Sequence, residues 1–171
     1  SLAIIAASLI KIPISKSLNA IKEFSGVSRR MEKIDTIKNL PYKGFNNTID
    51  VFDDFAHHPT EIKYSITSLK EKYKGKKLLS ICEIKSNSML RGTHKEELYS
   101  ALKISDLSLV ISTKKINWKF NKNNNNKISM ITSYVKINDY IRKNITNIDL
   151  ILIMSNINTK NIVEHIRNEK N

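Results

Sequence analysis

One stretch fixes the frame of this chain. Val51-Phe52-Asp53-Asp54-Phe55-Ala56-His57-His58-Pro59-Thr60-Glu61 opens on an apolar run, Ile49 to Phe52, broken only by Asp50. Two adjacent carboxylates follow, then two adjacent imidazoles and a proline. Beyond Thr60 the apolar residues Ile62, Ile66, Leu69 and Tyr73 recur at helical spacing. The pattern is a strand that passes through a polar loop into a helix. Pro59 suits the first turn of that helix, where a missing N–H costs nothing. In an α/β sheet the carboxyl end of a strand is where ligands sit, because loop backbone and helix N–H groups point there. Four ionisable side chains at such a point suit a site better than a core.

The rest of the chain repeats the alternation. Strands are expected over Glu32–Lys38, Thr48–Phe52, Leu78–Glu83, Leu107–Ser112, Ile128–Thr132 and Asp149–Met154. The first two are joined by Asn39-Leu40-Pro41-Tyr42-Lys43-Gly44, which reads as a hairpin turn. Helices are expected from Pro59 to Lys74, from Thr93 (capping-box spacing to Glu96), over Ile137–Lys143, and after a Thr159 cap, carrying Ile162, Val163 and Ile166. Lys85 to Met89 reads as the polar exit of the Leu78–Glu83 strand. Residues 113–127, which end in Asn123-Asn124-Asn125-Asn126, read as a surface loop with Trp118 packed back on the domain.

Strands alternating with helices predict an α/β fold, a Rossmann-like, mainly parallel sheet with helices on both faces. Right-handed crossovers then bring the exits after strands 49–52, 78–83 and 150–154 to one edge. Before the sheet, residues 2–10 read as an apolar helix broken at Ile12-Pro13. A second helix, capped by Ser15 and running to Phe24, is expected to turn Leu18, Ile21 and Phe24 inward. Ser25-Gly26 ends it.

Composition bounds the partners. The formal charge of +13, from 29 Lys and Arg against 16 acids, has two readings. One is an electrostatic footprint for nucleic acid. The other, which we favour because the basic residues are scattered through every segment, is a lysine-rich bias over all surfaces. Cys82, alone in an apolar run, reads as a buried free thiol in a reducing compartment rather than a nucleophile. No apolar run approaches a membrane span. The chain begins without methionine, so a piece of something longer is expected.

Three stretches carry a resemblance. Asp53-Asp54-Phe55-Ala56-His57-His58-Pro59-Thr60-Glu61 resembles the signature that opens the C-terminal domain of the Mur ligases acting on UDP-N-acetylmuramate. Ser28-Arg29-Arg30-Met31-Glu32 resembles the end of their central ATPase domain. Glu83 to Gly92, with Ser86-Asn87-Ser88-Met89, and Met154-Ser155-Asn156 are similar to the murein-peptide branch, which recycles cell-wall tripeptide, more than to the alanine-adding branch.

The resemblance implies residues 1–32 as the end of a central ATPase domain and residues 33–171 as the C-terminal domain. It implies a cytoplasmic ATP-dependent ligase, with Mg2+ as cofactor. That ligase joins UDP-N-acetylmuramate to L-alanyl-γ-D-glutamyl-meso-diaminopimelate in peptidoglycan recycling. The phosphate loop G-x-x-G-K-[ST] is nowhere in this chain. The resemblance therefore places ATP and Mg2+ mainly on an upstream domain, and this piece alone is expected not to ligate.

By motif, Arg30, Asp54 and His57 resemble ATP-binding residues: Arg30 for the phosphates across the domain hinge, Asp54 for the ribose hydroxyls, His57 flanking the nucleotide. Lys85, Ser86, Asn87, Ser88, Ser155 and Asn156 fall where the peptide substrate is expected. Where the family shows Pro-Arg, this chain has Ile84-Lys85, and a lysine does not grip a carboxylate bidentately. Where the family tends to place glycines, Ile157, Asn158, Thr159 and Lys160 stand.

Blander roles stand beside these. Asp53 reads as a turn residue or helix-side charge, and His58 as a helix cap about as readily as a ligand contact. The Arg29-Arg30 pair reads as solvated charge or as a phosphate clamp. His57, His58 and Glu61 are not expected to hold metal. An alanine-adding ligase fragment, a basic nucleic-acid-binding module and an inert remnant remain the alternatives.

Overall fold

The computed structural model describes residues 2–24, 26–38, 48–120 and 127–167. Six strands form one sheet: β1 (Glu32–Ile37), β2 (Ile49–Asp54), β3 (Leu78–Glu83), β4 (Leu107–Ile111), β5 (Ile128–Ile131) and β6 (Leu150–Met154). Their order is β1-β2-β6-β3-β4-β5. β1 lies antiparallel to β2, and every other neighbouring pair is parallel. The α/β, mainly parallel sheet expected from the sequence is the fold the chain adopts.

Strand periodicity explains the two layers around it. Successive side chains point to opposite faces, so Leu78 and Cys82 of β3 enter one core while Leu79 and Ile81 enter the other. Against the first face pack α3 (Pro59–Lys72), through Ile62, Ile66 and Leu69, and α5 (Lys95–Leu102), through Leu98 and Leu102. Against the second pack α6 (Lys136–Asn144), through Ile137 and Ile141, and α7 (Lys160–Arg167), through Ile162 and Ile166.

The topology follows from right-handed crossovers. From β2 the chain steps one way across the sheet to β3 and β4, with its helices on the first face. It returns from β5 to β6 by α6 on the second face. β6 is thereby inserted between β2 and β3, and the connections leave neighbouring strands on opposite faces. That is the switch point at which open α/β sheets bind ligands.

Several local expectations need correction. β2 runs two residues further than expected, so Asp53 and Asp54 lie inside the sheet and are buried. An extra helix, α4 (Asn87–Arg91), stands where a polar exit was expected; five residues are too few to leave a helical period in the sequence. It stops at Gly92, whose φ of +77° favours glycine. The cap position of α5 belongs to His94, not Thr93, whose N–H is taken by the Ser88 carbonyl.

The N-terminal helices differ most. α1 (Leu2–Leu9) is followed by α2 (Ile14–Glu23), which starts directly after Pro13 and is not capped by Ser15. Leu18, Ile21 and Phe24 face outward, at 45, 43 and 64 % exposure, and neither helix holds a buried residue. Their apolar stripe is present, but the chief packing partner of each helix is the other.

The turn at Asn39–Gly44, Ser25, and Asn123–Asn126 lie outside the described residues. The strands flanking that turn do pair antiparallel, with Ile37 opposite Ile49. Trp118 packs back as expected, its Nε1 donating to the Leu90 carbonyl at 3.1 Å.

Candidate functional site

The carboxyl ends of β2, β3, β4 and β6 meet at one edge. Asp54 is level with Met154, Met154 with Cys82, and Glu83 with Ile111. The edge has two sides, joined at Ser155.

The first side is the passage from α2 into β1. Arg29 and Met31 adopt φ of +58° and +52°, which side chains other than glycine rarely accept. Hydrogen bonds hold both there. The Arg29 N–H donates to Glu32 Oε2 at 2.8 Å, and its carbonyl accepts from Phe55 N at 2.8 Å. Met31 N donates to Asp54 Oδ2 at 2.8 Å.

The arginine pair divides. Arg29 Nε donates to Asp53 Oδ2 at 3.1 Å and Nη2 to the Ser155 carbonyl at 2.6 Å. Arg30 is exposed, and its guanidinium makes no hydrogen bond among the described residues. It stands 5.6 Å from the centre of the Phe55 ring, with Arg29 at 5.3 Å. Arg30 also lines a concavity of about 590 Å³ with Lys33, Lys72 and Tyr73.

Asp53 is therefore no turn residue. It is a buried acceptor for Arg29 and for Thr159 Oγ1, which donates to it at 2.9 Å rather than serving only α7. Asp54 is buried too, and both its oxygens carry protein donors: Met31 N on Oδ2, and Ala56 N (2.8 Å) and Ser65 Oγ (3.1 Å) on Oδ1.

His57 lies at the rim, its Nδ1 3.1 Å from the Phe55 carbonyl and 3.3 Å from Glu61 Oε2. His58 occupies the cap position of α3, and its ring meets that of His94 at 4.8 Å. The Glu61 side chain accepts from the N–H groups of His57 and His58 at 3.1 and 3.2 Å. Burial works to raise the Glu61 carboxyl, but those two N–H groups and the charges of His57 and Arg30 outweigh it and hold it below its ordinary value.

The second side centres on Glu83, the last residue of β3 and 3 % exposed. Its Oε2 accepts from Ser155 Oγ at 2.7 Å. Its Oε1 accepts from the Tyr134 hydroxyl and lies 3.2 Å from Lys85 Nζ. Lys85 Nζ donates onward to Thr113 Oγ1 at 2.9 Å. Burial alone would lower the Lys85 ammonium; Glu83 and Tyr134 together outweigh it and raise it. Burial and then Glu83 push the Tyr134 phenol up.

Of the residues expected to meet a peptide, Lys85 and Ser155 are thus brought together on one carboxylate. Ser86 occupies the cap position of α4, Asn87 and Ser88 stand exposed in its first turn, and Asn156 is half-buried beside Ser155. Sequence reasoning missed Arg29 as the clasp, Glu83 as the hub, and Tyr134. The one legible signal was a glutamate closing an otherwise apolar strand.

As a test of cofactor fit, the guanidinium of Arg30 suits a phosphate, whereas Asp54 is buried and already accepts three hydrogen bonds, so it does not present itself to a ribose in this conformation. No group of three or more His, Cys, Asp or Glu that could hold a metal exists among the described residues. Cys82 is buried, and its thiol is pushed up to about 12, chiefly by burial and then by Glu83, which makes it inert. Among the described residues no helix is long and apolar enough to cross a membrane.

Comparison with known proteins converges on one family. Residues 29–157 match the family described as "Mur ligase, glutamate ligase domain". A UDP-N-acetylmuramate–L-alanyl-γ-D-glutamyl-meso-2,6-diaminoheptandioate ligase of Haemophilus influenzae is 33 % identical over 119 residues, covering 69 % of this chain and 24 % of that protein. A UDP-N-acetylmuramate–L-alanine ligase of Desulfotalea psychrophila is 40 % identical over 80 residues, 46 % of this chain and 16 % of its own length.

Among solved structures, a murein peptide ligase from Psychrobacter arcticus superposes with a TM-score of 0.66 at 27 % identity, over 98 % of this chain and 36 % of that one. A UDP-N-acetylmuramate–alanine ligase from Thermotoga maritima shares the fold, with a TM-score of 0.67 at 19 % identity, over 96 % of this chain and 34 % of that one. The chain spans about a quarter of the length of the first curated relative.

Proposed function

The chain belongs to the Mur ligase family, and from that premise we propose that it is the C-terminal part of a cytoplasmic, ATP-dependent ligase. The ligase joins UDP-N-acetylmuramate to L-alanyl-γ-D-glutamyl-meso-diaminopimelate in peptidoglycan recycling. Residues 1–32 end the central ATPase domain and residues 33–171 form the C-terminal domain. The upstream remainder carries the phosphate loop and the Mg2+ site, so this piece alone does not ligate.

In this reading ATP, when bound, supplies the phosphoryl group that activates a carboxylate. The chain's own residues position the partners. Arg30 presents an uncommitted cation to the phosphates, and His57 flanks the nucleotide at the rim. Asp54 takes the ribose by exchanging the Met31 N–H on its Oδ2 for a ribose hydroxyl. Lys85, Ser86, Asn87, Ser88 and Asn156 face the carboxylate-rich tripeptide, and Ser155, fully buried, stands behind them.

One observation supports this most: Arg30 beside Phe55 and Lys85 beside Ser155 lie at the same carboxyl edge of the sheet, on either side of the strand-order switch at β6.

The test is ligation by the full-length parent with the tripeptide or L-alanine as amine. Tripeptide preferred supports the reading, and L-alanine preferred assigns the alanine-adding branch. Sub-micromolar, sequence-selective nucleic-acid binding at physiological salt would replace both with a nucleic-acid-binding module.

A further inference from the structure

We propose that Glu83 is the positioning residue of the peptide side, acting by fixing the Lys85 ammonium and the Ser155 hydroxyl in one arrangement. This rests on the peptide-side reading above and names what orders it.

A buried carboxylate is costly unless paired and hydrogen-bonded. Glu83 is both, and its partners come from separate parts of the fold. Ser155 follows β6, Tyr134 lies between β5 and α6, and Lys85 follows β3 and reaches Thr113 beyond β4. One carboxylate thus gathers the exits of β3, β4 and β6. Its side chain is 1 % exposed and both oxygens are occupied, so it acts through its partners and does not touch a ligand.

Lysine on its flexible stem is ordinarily a mobile point charge. Here the stem is held before any ligand arrives. Its Nζ lies 3.2 Å from Glu83 Oε1, donates to Thr113 Oγ1 at 2.9 Å and meets the Tyr134 hydroxyl, so the ammonium is held as a fixed charge toward which an incoming carboxylate can be drawn. The Lys85 side chain is 20 % exposed, enough to present that charge. Freedom lost in advance is not lost on binding, so the arrangement favours affinity. Ser155 extends the order to the hinge, because its carbonyl accepts from Arg29 while its hydroxyl donates to Glu83.

The experiment uses the 171-residue chain labelled with 15N-lysine, and the tripeptide L-alanyl-γ-D-glutamyl-meso-diaminopimelate as probe. In the unmodified chain, the Lys85 Nζ protons are expected to exchange with water more slowly than those of exposed lysines. Glu83→Gln, which keeps the shape and removes the charge, is expected to return them to the fast rate and weaken tripeptide binding about ten-fold. Because Glu83 acts through Lys85 and Ser155, Glu83→Gln in a background carrying both Lys85→Met and Ser155→Ala is expected to cost no further affinity.

Fast exchange at Lys85 in the unmodified chain overturns the proposal, whether or not the variants fold. Additive losses on top of Lys85→Met and Ser155→Ala overturn it equally, since a merely structural glutamate would add. If the unmodified chain binds no tripeptide while Lys85 still exchanges slowly and depends on Glu83, the peptide-side reading fails and the positioning role stands.

Discussion

Arg29 and Asp53 are twenty-four residues apart and joined by a bond of 3.1 Å from Nε to Oδ2. The same guanidinium reaches the Ser155 carbonyl. One side chain therefore ties the passage into β1 to the ends of β2 and β6. A left-handed conformation at a non-glycine residue costs on the order of 1–3 kcal/mol and persists only where its surroundings fix it. Here the fixing groups are Glu32, Phe55, Asp53 and Ser155.

Breaking that tie strands a buried charge. Arg29→Met is expected to destabilise the chain by on the order of 3 kcal/mol, since Asp53 would keep only Thr159 as a donor. Adding Asp53→Asn should recover part of the loss, because the unpaired charge goes with it. Urea unfolding of the two variants measures both numbers. A loss below about 0.5 kcal/mol for Arg29→Met would class the pair with exposed ion pairs.

Gly92→Ala is expected to be disruptive for two reasons that act together. Its φ of +77° disfavours any side chain, and an added Cβ would lie 2.6 Å from Trp118 Cδ1 and 2.9 Å from Cγ. The cost should be about 1–3 kcal/mol, as for other overpacked sites. Trp118 is the sole tryptophan of the chain, so its emission reports the displacement directly. Unchanged emission and unchanged stability would mean that the 113–120 loop does not rest on Gly92.

Much of this architecture was legible because period and burial agree. In β3 and β6 almost every side chain is apolar and buried on both faces, and a run like Leu150-Ile151-Leu152-Ile153-Met154 has few other uses. The site was legible only by composition. Asp53 and Asp54 were visible as carboxylates at a strand end. That the strand includes them, and that their partners are Arg29, Thr159, Met31 and Ser65, depends on contacts between residues far apart in the chain. The Glu83 hub was hidden for the same reason. The exposed stripe on α2 failed in the opposite sense, since periodicity marks a face that wants covering and cannot say whether anything covers it.

Acid should weaken the fold in a defined window. Burial works to raise Asp50, Glu61 and Asp106, but hydrogen bonds and nearby cations outweigh it and leave all three below their ordinary values of 3.8, 4.5 and 3.8. Carboxyls depressed by folding contribute stability that is complete above those ordinary values and is lost as pH falls through the folded ones. Thermal unfolding is therefore expected to be insensitive to these groups near neutrality and to shift downward below about pH 4. Asp106 receives Lys70 Nζ and Leu78 N, both at 2.9 Å. Asp106→Asn should flatten the acid slope, and an identical slope would remove it from the account.

The outward apolar residues of the first two helices predict self-association. Leu2, Leu9 and Ile10 are 85, 79 and 72 % exposed, and Phe24 is 64 % exposed. A patch of this kind on an isolated chain drives contact between copies. Light scattering should show mass rising with concentration for the 171-residue chain and a constant monomer mass after removal of residues 1–24. A clean monomer with those residues present would sink the expectation.

The last prediction concerns the nucleotide side of the parent ligase proposed above. Asp54 binds Met31 N through Oδ2, so closing on a ribose requires that bond to exchange. Asp54→Asn replaces an acceptor by a donor, and either placement sets N–H against N–H at Met31 or at Ala56. Loss of one charge-assisted bond is worth roughly 1.5–3 kcal/mol, so KM for ATP should rise roughly ten- to hundred-fold. Ser65→Ala removes a donor from the same carboxylate without touching residues 29–31, and should leave the ATP dependence nearly unchanged. Arg30→Ala should lower kcat more than it raises KM, if its uncommitted guanidinium meets charge that builds during phosphoryl transfer. Steady-state ligation with ATP and tripeptide varied in turn separates these effects. Should Asp54→Asn leave the ATP dependence untouched and spoil tripeptide use instead, the two sides of the edge would have to be exchanged, with Arg30 and Asp54 assigned to the peptide.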